Sequence, residues 1–529
     1  MTLTSASKPT PRTLEYVVIF MVGVLLRLPF LPATGDDAFI TFQYVRNLIA
    51  GHGYVFNSGE HVLGTTTPFY TLYLALIGKL GLDFILVGKL TNIVADTASV
   101  VLLFIVIFRA SNRIVAWAVA LLVLSSPYNL VFSANGMETG IYTFMILLVL
   151  YLYQERQWKW MAFAGGILVL VRPDGLLALL VIALFWLIDG QEWRGGIKYA
   201  FLTGLVMLPW FIFATWYFGS PIPHSITAKA LTYRSAVHME WISILWRIFA
   251  QRGGTGGTLL IMLLLGTGGT VVLARQALRP LRLYLVWMVL YIATFTFFQS
   301  GRFGWYYAPI MPILFTLVVL GGAEWFEQTR RFTVMTRIMQ SKLRYVLAGI
   351  LFLVILVTSG ISVYGSWQEA YQEVAYEKII WQPLGLWIRE NSGPDATVAL
   401  ESIGGVGWYS ERYIWDEGGL VSTKTYTLNQ ETPGNINVMA ILQTYHPDLY
   451  VAWNPWELET YLRTPEAQAW FEANYVFVNH YTVDETTWTL FQLRSSKKVK
   501  KNLLTDCDGI QIVDWTAEKI DLLSPCAIE

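Results

Sequence analysis

The stretch TGDDAFITFQYVRNLIAGHGYVFNSGEHVLGTTTP, residues 34–68, decides how the whole chain is read. It sets two adjacent carboxylates, Asp36 and Asp37, directly after an apolar run at 14–32 that is long enough to cross a bilayer. An unpaired carboxylate is costly in hydrocarbon, so acids beside a span face water, a partner or a reaction site. The plain reading is a helix start, because Gly35 and the Asp pair precede an apolar helical run and acids favour a helix N-terminus. The functional reading makes one Asp a general base while the other orients an acceptor or a cation. Neighbouring like charges raise the proton affinity of one of them.

Working outward, the 529 residues are 55% hydrophobic and only 14% charged, and the mean hydropathy is +0.47, a membrane composition. Lys+Arg and Asp+Glu balance at 37 each, so no global basic field exists to bind nucleic acid, and charge acts locally. Apolar runs near 14–32, 84–108, 114–132, 139–153, 158–171, 174–189, 198–218, 258–274, 282–298, 305–325 and 344–364 give about eleven candidate spans. The run from Thr67, TPFYTLYLALIGKLGL, reads instead as a helix lying at the interface or re-entering the mouth. With that assignment Lys8 and Arg12, Arg109 and Arg113, Arg156 and Lys159, and the later basic clusters fall on one side. The positive-inside rule makes that side the cytoplasm.

An odd number of spans sends the C-terminus outside. The expected organisation is a cytoplasmic tail at 1–13, a helical membrane domain at 14–365 with a large first external loop at 33–83, and a soluble α/β extracytoplasmic domain at 366–529. Strand-like runs in the last part cover Thr397 to Leu400, Leu449 to Trp453 and Tyr475 to Val478. Outside placement makes a bridge between Cys507 and Cys526 chemically possible, and two idle thiols equally so.

The same topology puts SANGMETG (133–140), the RPDG turn (172–175) and GSPIPHSITAKALTYR (219–234) on the outer face. Asp36, Asp37, Glu138, Asp174, Lys229 and Arg234 then face one compartment. Glu138 also reads as an N-cap acid, Arg172 and Asp174 as a pair across a turn, and GRFGWYY (301–307) as an interfacial aromatic belt with a snorkelling Arg302. A lysine at a hydrophobic mouth suits a phosphate, as a compact point charge. GGTGG at 253–257 lacks a following Lys and reads as a hinge, and no zinc spacing, phosphate-cradling loop or dinucleotide fingerprint is present. A divalent cation stays open as a cofactor, since adjacent Asp residues do not specify a metal site.

The string DDAFITFQYVRNLIAGHGYVFNSGEHVLGTTTPFYTLYLAL resembles the first external loop of the GT-C membrane glycosyltransferases, above all the terminal arabinofuranosyltransferases of mycobacterial cell-wall arabinan and their bacterial relatives. NGMETGIY, RPDG, GSPIPHSITAKA and IGGVGWYSERYIWDEGGLVS resemble that group in the same order. The resemblance implies a cell-envelope enzyme of the plasma membrane. Such an enzyme takes a polyprenyl-phosphate-linked monosaccharide from the outer leaflet and transfers it with inversion to an extracytoplasmic glycan. It places the acid pair on Asp36 and Asp37, the second acidic position on Glu138, and the donor phosphate on Lys229 with His224 or Arg302 as helpers. One departure is Leu63 in EHVLG, where many relatives carry an acid before Gly, and it bears on which sugar or acceptor is used. The rival class is a transporter or flippase of lipid-linked sugars, which calls for broken, charged helices at mid-membrane and an inverted repeat.

Overall fold

The computed structural model describes residues 13–232, 260–297, 303–329, 360–361, 363–432, 435–453, 458, 460–483 and 486–500. Its contacts divide the chain into two units, one of Met1–Ala33, Thr67–Phe213 and Ala236–Tyr371, the other of Thr34–Thr66, Ala214–Ser235 and Gln372–Glu529. The expected span at 344–364 falls almost wholly outside the described residues, as do GGTGG, Arg234, Arg302 and both cysteines.

The first unit is helical. Among the described residues, five helical stretches are long and apolar enough to cross a membrane: Thr13–Phe30, Phe84–Ala110, Trp193–Phe218, Gln276–Phe297 and Gly304–Gln328. Their α-helical parts are α1 (Thr13–Arg27), α4 (Phe84–Ala110), α10 (Trp193–Phe218), α13 (Arg279–Phe297) and α14 (Met311–Thr329). The other expected spans are shorter apolar helices: α5 (Arg113–Leu124), α7 (Thr139–Gln154), α8 (Trp158–Val171), α9 (Leu176–Ile188) and α12 (Leu260–Ala274). The run at 114–132 is not one span, because Ser125 and Ser126 end α5 and Pro127 opens the six-residue α6 (Pro127–Phe132). Proline suits a first helical turn and breaks an interior one. RPDG likewise forms a single tight turn, Pro173–Gly175, which keeps α8 and α9 short.

The run after Thr67 forms α3 (Pro68–Lys79), 12 residues long. At about 1.5 Å per residue it falls well short of the roughly 30 Å hydrocarbon core. It buries Tyr70, Thr71, Leu74 and Ala75 and exposes Phe69, Leu72 and Leu76, so its outer side is apolar as well. Two glycines let α12 and α14 cross closely: a methyl group on Gly268 would overlap the Leu317 carbonyl, and one on Gly321 the Leu264 carbonyl. Small residues at such a crossing are the usual means of packing helices where no water drives them together. Deeper in the unit, Arg27 of α1 is wholly buried. Its Nη2 and Nε donate to Asp96 Oδ2 of α4 at 2.5 and 2.8 Å, and Asn129 Nδ2 donates to Oδ1 at 3.0 Å.

The second unit is built on a five-stranded sheet. Its strands are β1 (Thr397–Leu400), β2 (Tyr413–Asp416), β3 (Leu449–Trp453), β4 (Tyr475–Val483) and β5 (Thr486–Leu493), in the order β2-β1-β3-β5-β4. β1 runs parallel to β2 and β3, with Val398 opposite Ile414 and Leu449. β5 runs antiparallel between β3 and β4, with Val451 opposite Leu490. Three of the strands match the expected runs, and β4 extends past Val478 to Val483 beyond a bulge between Phe477 and Asn479. β2 and β5 are additions: RYIWDE and TTWTLF carry aromatic and β-branched residues amid polar ones and need the sheet to define them.

Helix α15 (Gln382–Asn391) leads into β1, and α16 (Ile403–Ser410) is the crossover joining β1 to its parallel neighbour β2. After β2 come α17 (Thr423–Asn429), α18 (Val438–Tyr445) and α19 (Pro465–Asn474). The stretch at 34–66 that carries the acid pair belongs to this unit, as α2 (Asp36–Ala50) and the loop behind it, and so does α11 (His224–Thr232). Asn57 fastens the loop to the sheet: its Oδ1 accepts from the Ile414 N–H at 3.0 Å and its Nδ2 donates to the Ile414 carbonyl at 2.9 Å. That side-chain amide pairs the edge strand β2 as a neighbouring strand would.

Candidate functional site

Successive residues of a helix point about 100° apart, and that rotation separates the two acids of α2. Asp36, Phe39, Phe42 and Arg46 share the face turned to α16. Phe39 packs 6.1 Å from the Trp408 ring and 5.7 Å from that of Tyr409, and Phe42 lies 6.4 Å from Trp408. Arg46 stacks 4.3 Å over Trp408 and donates to its carbonyl at 2.9 Å. At the head of this face Asp36 Oδ1 accepts from the Gly405 N–H at 2.7 Å and Oδ2 from the Gly404 N–H at 3.2 Å. The residue that precedes α16, Ser402, makes no capping bond of its own. The carboxylate of α2 therefore caps α16. Burial pushes Asp36 up to about 7, with the Asp37 charge adding to the rise and the two N–H bonds opposing it.

Asp37, one position on, turns to α11. Its Oδ2 lies 3.3 Å from Lys229 Nζ, and the two side chains keep 27% and 23% of their surface exposed. Lys229 is held in place by its helix. At one end of α11 the His224 N–H donates to the Leu63 carbonyl at 2.8 Å, and the imidazole meets Tyr426 edge-on at 4.7 Å. At the other end Thr232 Oγ1 donates to the Gly418 carbonyl at 3.1 Å. Burial lowers the proton affinity of His224, opposed by a backbone contact with Gly419. Leu63 is buried, and its carbonyl anchors α11. Behind that anchor, the 416–419 turn follows β2. There Asp416 Oδ2 accepts from the Val421 N–H at 2.7 Å, and burial pushes this acid up to about 7 as well.

Glu138 lies in the helical unit. It occupies the N-cap position of α7, where its side chain makes no capping bond, and its Oε1 accepts from Arg172 Nη1 at 3.5 Å. Arg172 grips Asp174 with two parallel bonds of 3.1 Å and sits over the Tyr142 and Tyr306 rings at 4.8 and 5.1 Å. The Arg172–Asp174 pairing across RPDG is thus present, and it extends to Glu138. Of the expected site residues, Asp37, Lys229 and His224 fall on α2 and α11 of one unit, with Asp36 beside them facing α16. Arg302 lies outside the described residues. Among the described residues no group of three or more His, Cys, Asp or Glu side chains is placed to hold a metal ion.

Two features escaped the reading of the sequence. Lys89 of α4 is buried, and its Nζ donates to the carbonyls of Leu31 and Ala33 at 2.9 and 2.7 Å, pinning the segment just before the Asp pair. Gly404 and Gly405 present the N–H groups that hold Asp36. A charged residue amid an apolar run was the available signal for the first. The GG pair opening a crossover helix was the signal for the second.

Several known proteins resemble this chain. Residues 366–497 match the family model described as "Domain of unknown function (DUF8728)". A "Terminal beta-(1->2)-arabinofuranosyltransferase" of Mycobacterium tuberculosis is 28% identical over 219 residues, 37% of this chain, and the chain spans about a third (34%) of that relative's length. ArnT from Cupriavidus metallidurans bound to undecaprenyl phosphate superposes with a TM-score of 0.58 at 12% identity, over 92% of this chain and 99% of that one. The apo oligosaccharyltransferase of Archaeoglobus fulgidus superposes with a TM-score of 0.55 at 12% identity, over 89% of this chain and 79% of that one. With its membrane-length helices and its C-terminal sheet, the chain is a multi-pass membrane protein with the GT-C fold of the membrane glycosyltransferases.

Proposed function

We propose that the protein is an inverting glycosyltransferase that moves a monosaccharide, arabinofuranose first among the candidates, from a polyprenyl-phosphate donor to an extracytoplasmic glycan of the cell envelope. The observation that carries this reading is the half-open pair of Asp37 and Lys229. Inverting transfer needs a base on one face of the sugar and positive charge at the leaving phosphate on the other. The acceptor oxygen attacks the anomeric carbon, Asp37 takes its proton, and the bond from that carbon to the phosphate oxygen breaks. The bonding electrons leave with the polyprenyl phosphate, whose charge Lys229 stabilises.

In the resting site the two side chains neutralise each other, and an arriving donor phosphate draws the lysine away and leaves the carboxylate free. His224 sets the start of the lysine's helix. Glu138, gripped by Arg172, is a fixed acid of the helical unit. Energy and sugar arrive together in the donor, so no nucleotide is required. In this reading the acid pair, α11 and the sheet domain face the outside, and the chain's N-terminus is cytoplasmic.

The test is transfer from synthetic polyprenyl-phosphoryl arabinose, then mannose and glucose, to an oligosaccharide acceptor by purified protein in detergent without ATP. Turnover with one donor that vanishes in a folded Asp37→Asn variant supports the reading. A wild-type protein silent with every donor, yet able to carry a lipid-linked sugar across a vesicle membrane, overturns it in favour of a transporter.

A further inference from the structure

A parallel β-strand that runs into a glycine-opened helix is a ready-made anion site, because the free N–H groups of the first helical turn and the helix dipole both point at whatever lies there. β1, Ser402 and the Gly404–Gly405 opening of α16 build such a site, and the anion in it belongs to the chain: the Asp36 carboxylate, with one oxygen on each glycine N–H. The approach is close enough that a methyl group on Gly404 would overlap the Asp36 carbonyl oxygen. Both carboxylate oxygens are engaged, and the aromatic face of α2 continues the contact along α16.

We infer that Asp36 is a positioning residue and not a base: it locks the first turn of α2 onto the first turn of α16 and so fixes where Asp37 points. This inference rests on the transferase reading for its kinetic consequences, while the clasp itself is read without any turnover. The raised proton affinity of Asp36 makes it look like the better base, yet a base must reach the acceptor's proton. The oxygens of Asp36 are spent on backbone N–H groups, whereas Asp37 stands beside Lys229 with surface open to a ligand. A change at Gly404 therefore acts on catalysis through the same link as a change at Asp36, though Gly404 carries no chemistry.

The experiment compares Asp36→Asn, Gly404→Ala, their double variant and Asp37→Asn in the full chain, by hydrogen exchange and by kinetics. Exchange at the start of α16 is expected to speed up about tenfold or more in Asp36→Asn and to stay at the wild-type rate in Asp37→Asn, a factor of ten being about 1.4 kcal/mol. With a working donor, Asp36→Asn and Gly404→Ala are expected each to lower kcat by about 10- to 100-fold and the double variant by no more than the worse single, as for two ends of one link. The loss falls on kcat and leaves the KM for the donor within about twofold, because Lys229 is held by the anchors of α11 at Leu63 and Gly418 and not by Asp36, a split that general loss of structure does not produce. Unchanged exchange at α16 in a folded Asp36→Asn variant overturns the clasp whether or not a donor is found. Abolished turnover in Asp36→Asn, with Gly404→Ala and Asp37→Asn near wild type, makes Asp36 the base. If Gly404→Ala does not fold, exchange and the split between kcat and KM in Asp36→Asn decide alone.

Discussion

The enclosed ion pairs of the helical unit and the half-open pair of the sheet-bearing unit treat charge in opposite ways. In the first, Arg27 and Asp96 are almost completely enclosed, and Arg172 is gripped by Asp174 and Glu138 under two tyrosine rings. In the second, Asp37 and Lys229 meet at 3.3 Å with about a quarter of each side chain open. An enclosed pair cannot exchange partners without leaving a bare charge in a low dielectric, so it holds helices and does nothing else. An open pair can be parted by a ligand that offers either member a substitute. A pair of opposite charges is thus a rivet at Arg27–Asp96 and, under the proposed transfer reaction, a latch at Asp37–Lys229.

The sharpest way to break this contrast is to substitute both acids. Asp37→Asn is expected to lower the rate of sugar transfer by about 10³-fold with little change in thermal stability, the ordinary scale for a lost general base. Asp96→Ala is expected to do the reverse, costing about 3–5 kcal/mol by stranding Arg27 while any surviving folded protein remains active. Thermal unfolding in detergent reads it, and the paired change Arg27→Met with Asp96→Leu is expected to recover most of the loss. An Asp96→Ala protein as stable as wild type would remove the rivet from the comparison.

Next in size is Lys229. Lys229→Ala is expected to raise the KM for the lipid-linked donor by about 10- to 100-fold, and Lys229→Arg to restore part of it, since the planar fork does not replace a compact ammonium fully. Titration of donor under single-turnover conditions separates this from an effect on kcat.

The smallest expected effect concerns Asp416. Its acid is pushed up to about 7 in the folded chain, above its unfolded value. The folded state then holds the proton more tightly, so the contribution to stability is present at low pH and is lost as pH rises towards 7. The slope has a ceiling of about 1.4 kcal/mol per pH unit. Stability measured between pH 5 and pH 8 is expected to decline, with a flatter decline in Asp416→Asn. An equal slope in both proteins assigns the decline to other groups.

Much of this architecture was legible because its signals are local. Apolar length marked the helices, the RPDG turn marked where two of them stop, and the alternation around Thr397 and Leu449 marked two strands, whereas the break at Pro127 inside the expected span at 114–132 went unread. β2 and β5 were not legible, because YIWD is a strand by pairing β1, 16 positions away, and TTWTLFQL by lying between β3, about 40 positions away, and its neighbour β4. At the site, the residue types were readable and their division of labour was not. Asp36 and Asp37 are neighbours in the chain and face different helices. Which acid meets Gly404 depends on a contact spanning 368 positions. Lys229 and Asp37, 192 positions apart, meet for the same reason.

The grip of Asn57 on Ile414 has a practical consequence for anyone excising the C-terminal region. The matched segment at 366–497 begins long after residue 57, so a fragment cut there leaves the outer backbone of β2 without its amide partner. A bare strand edge templates pairing with another chain. Such a fragment is expected to self-associate in solution, and adding the 34–66 peptide in trans is the natural way to keep it monodisperse.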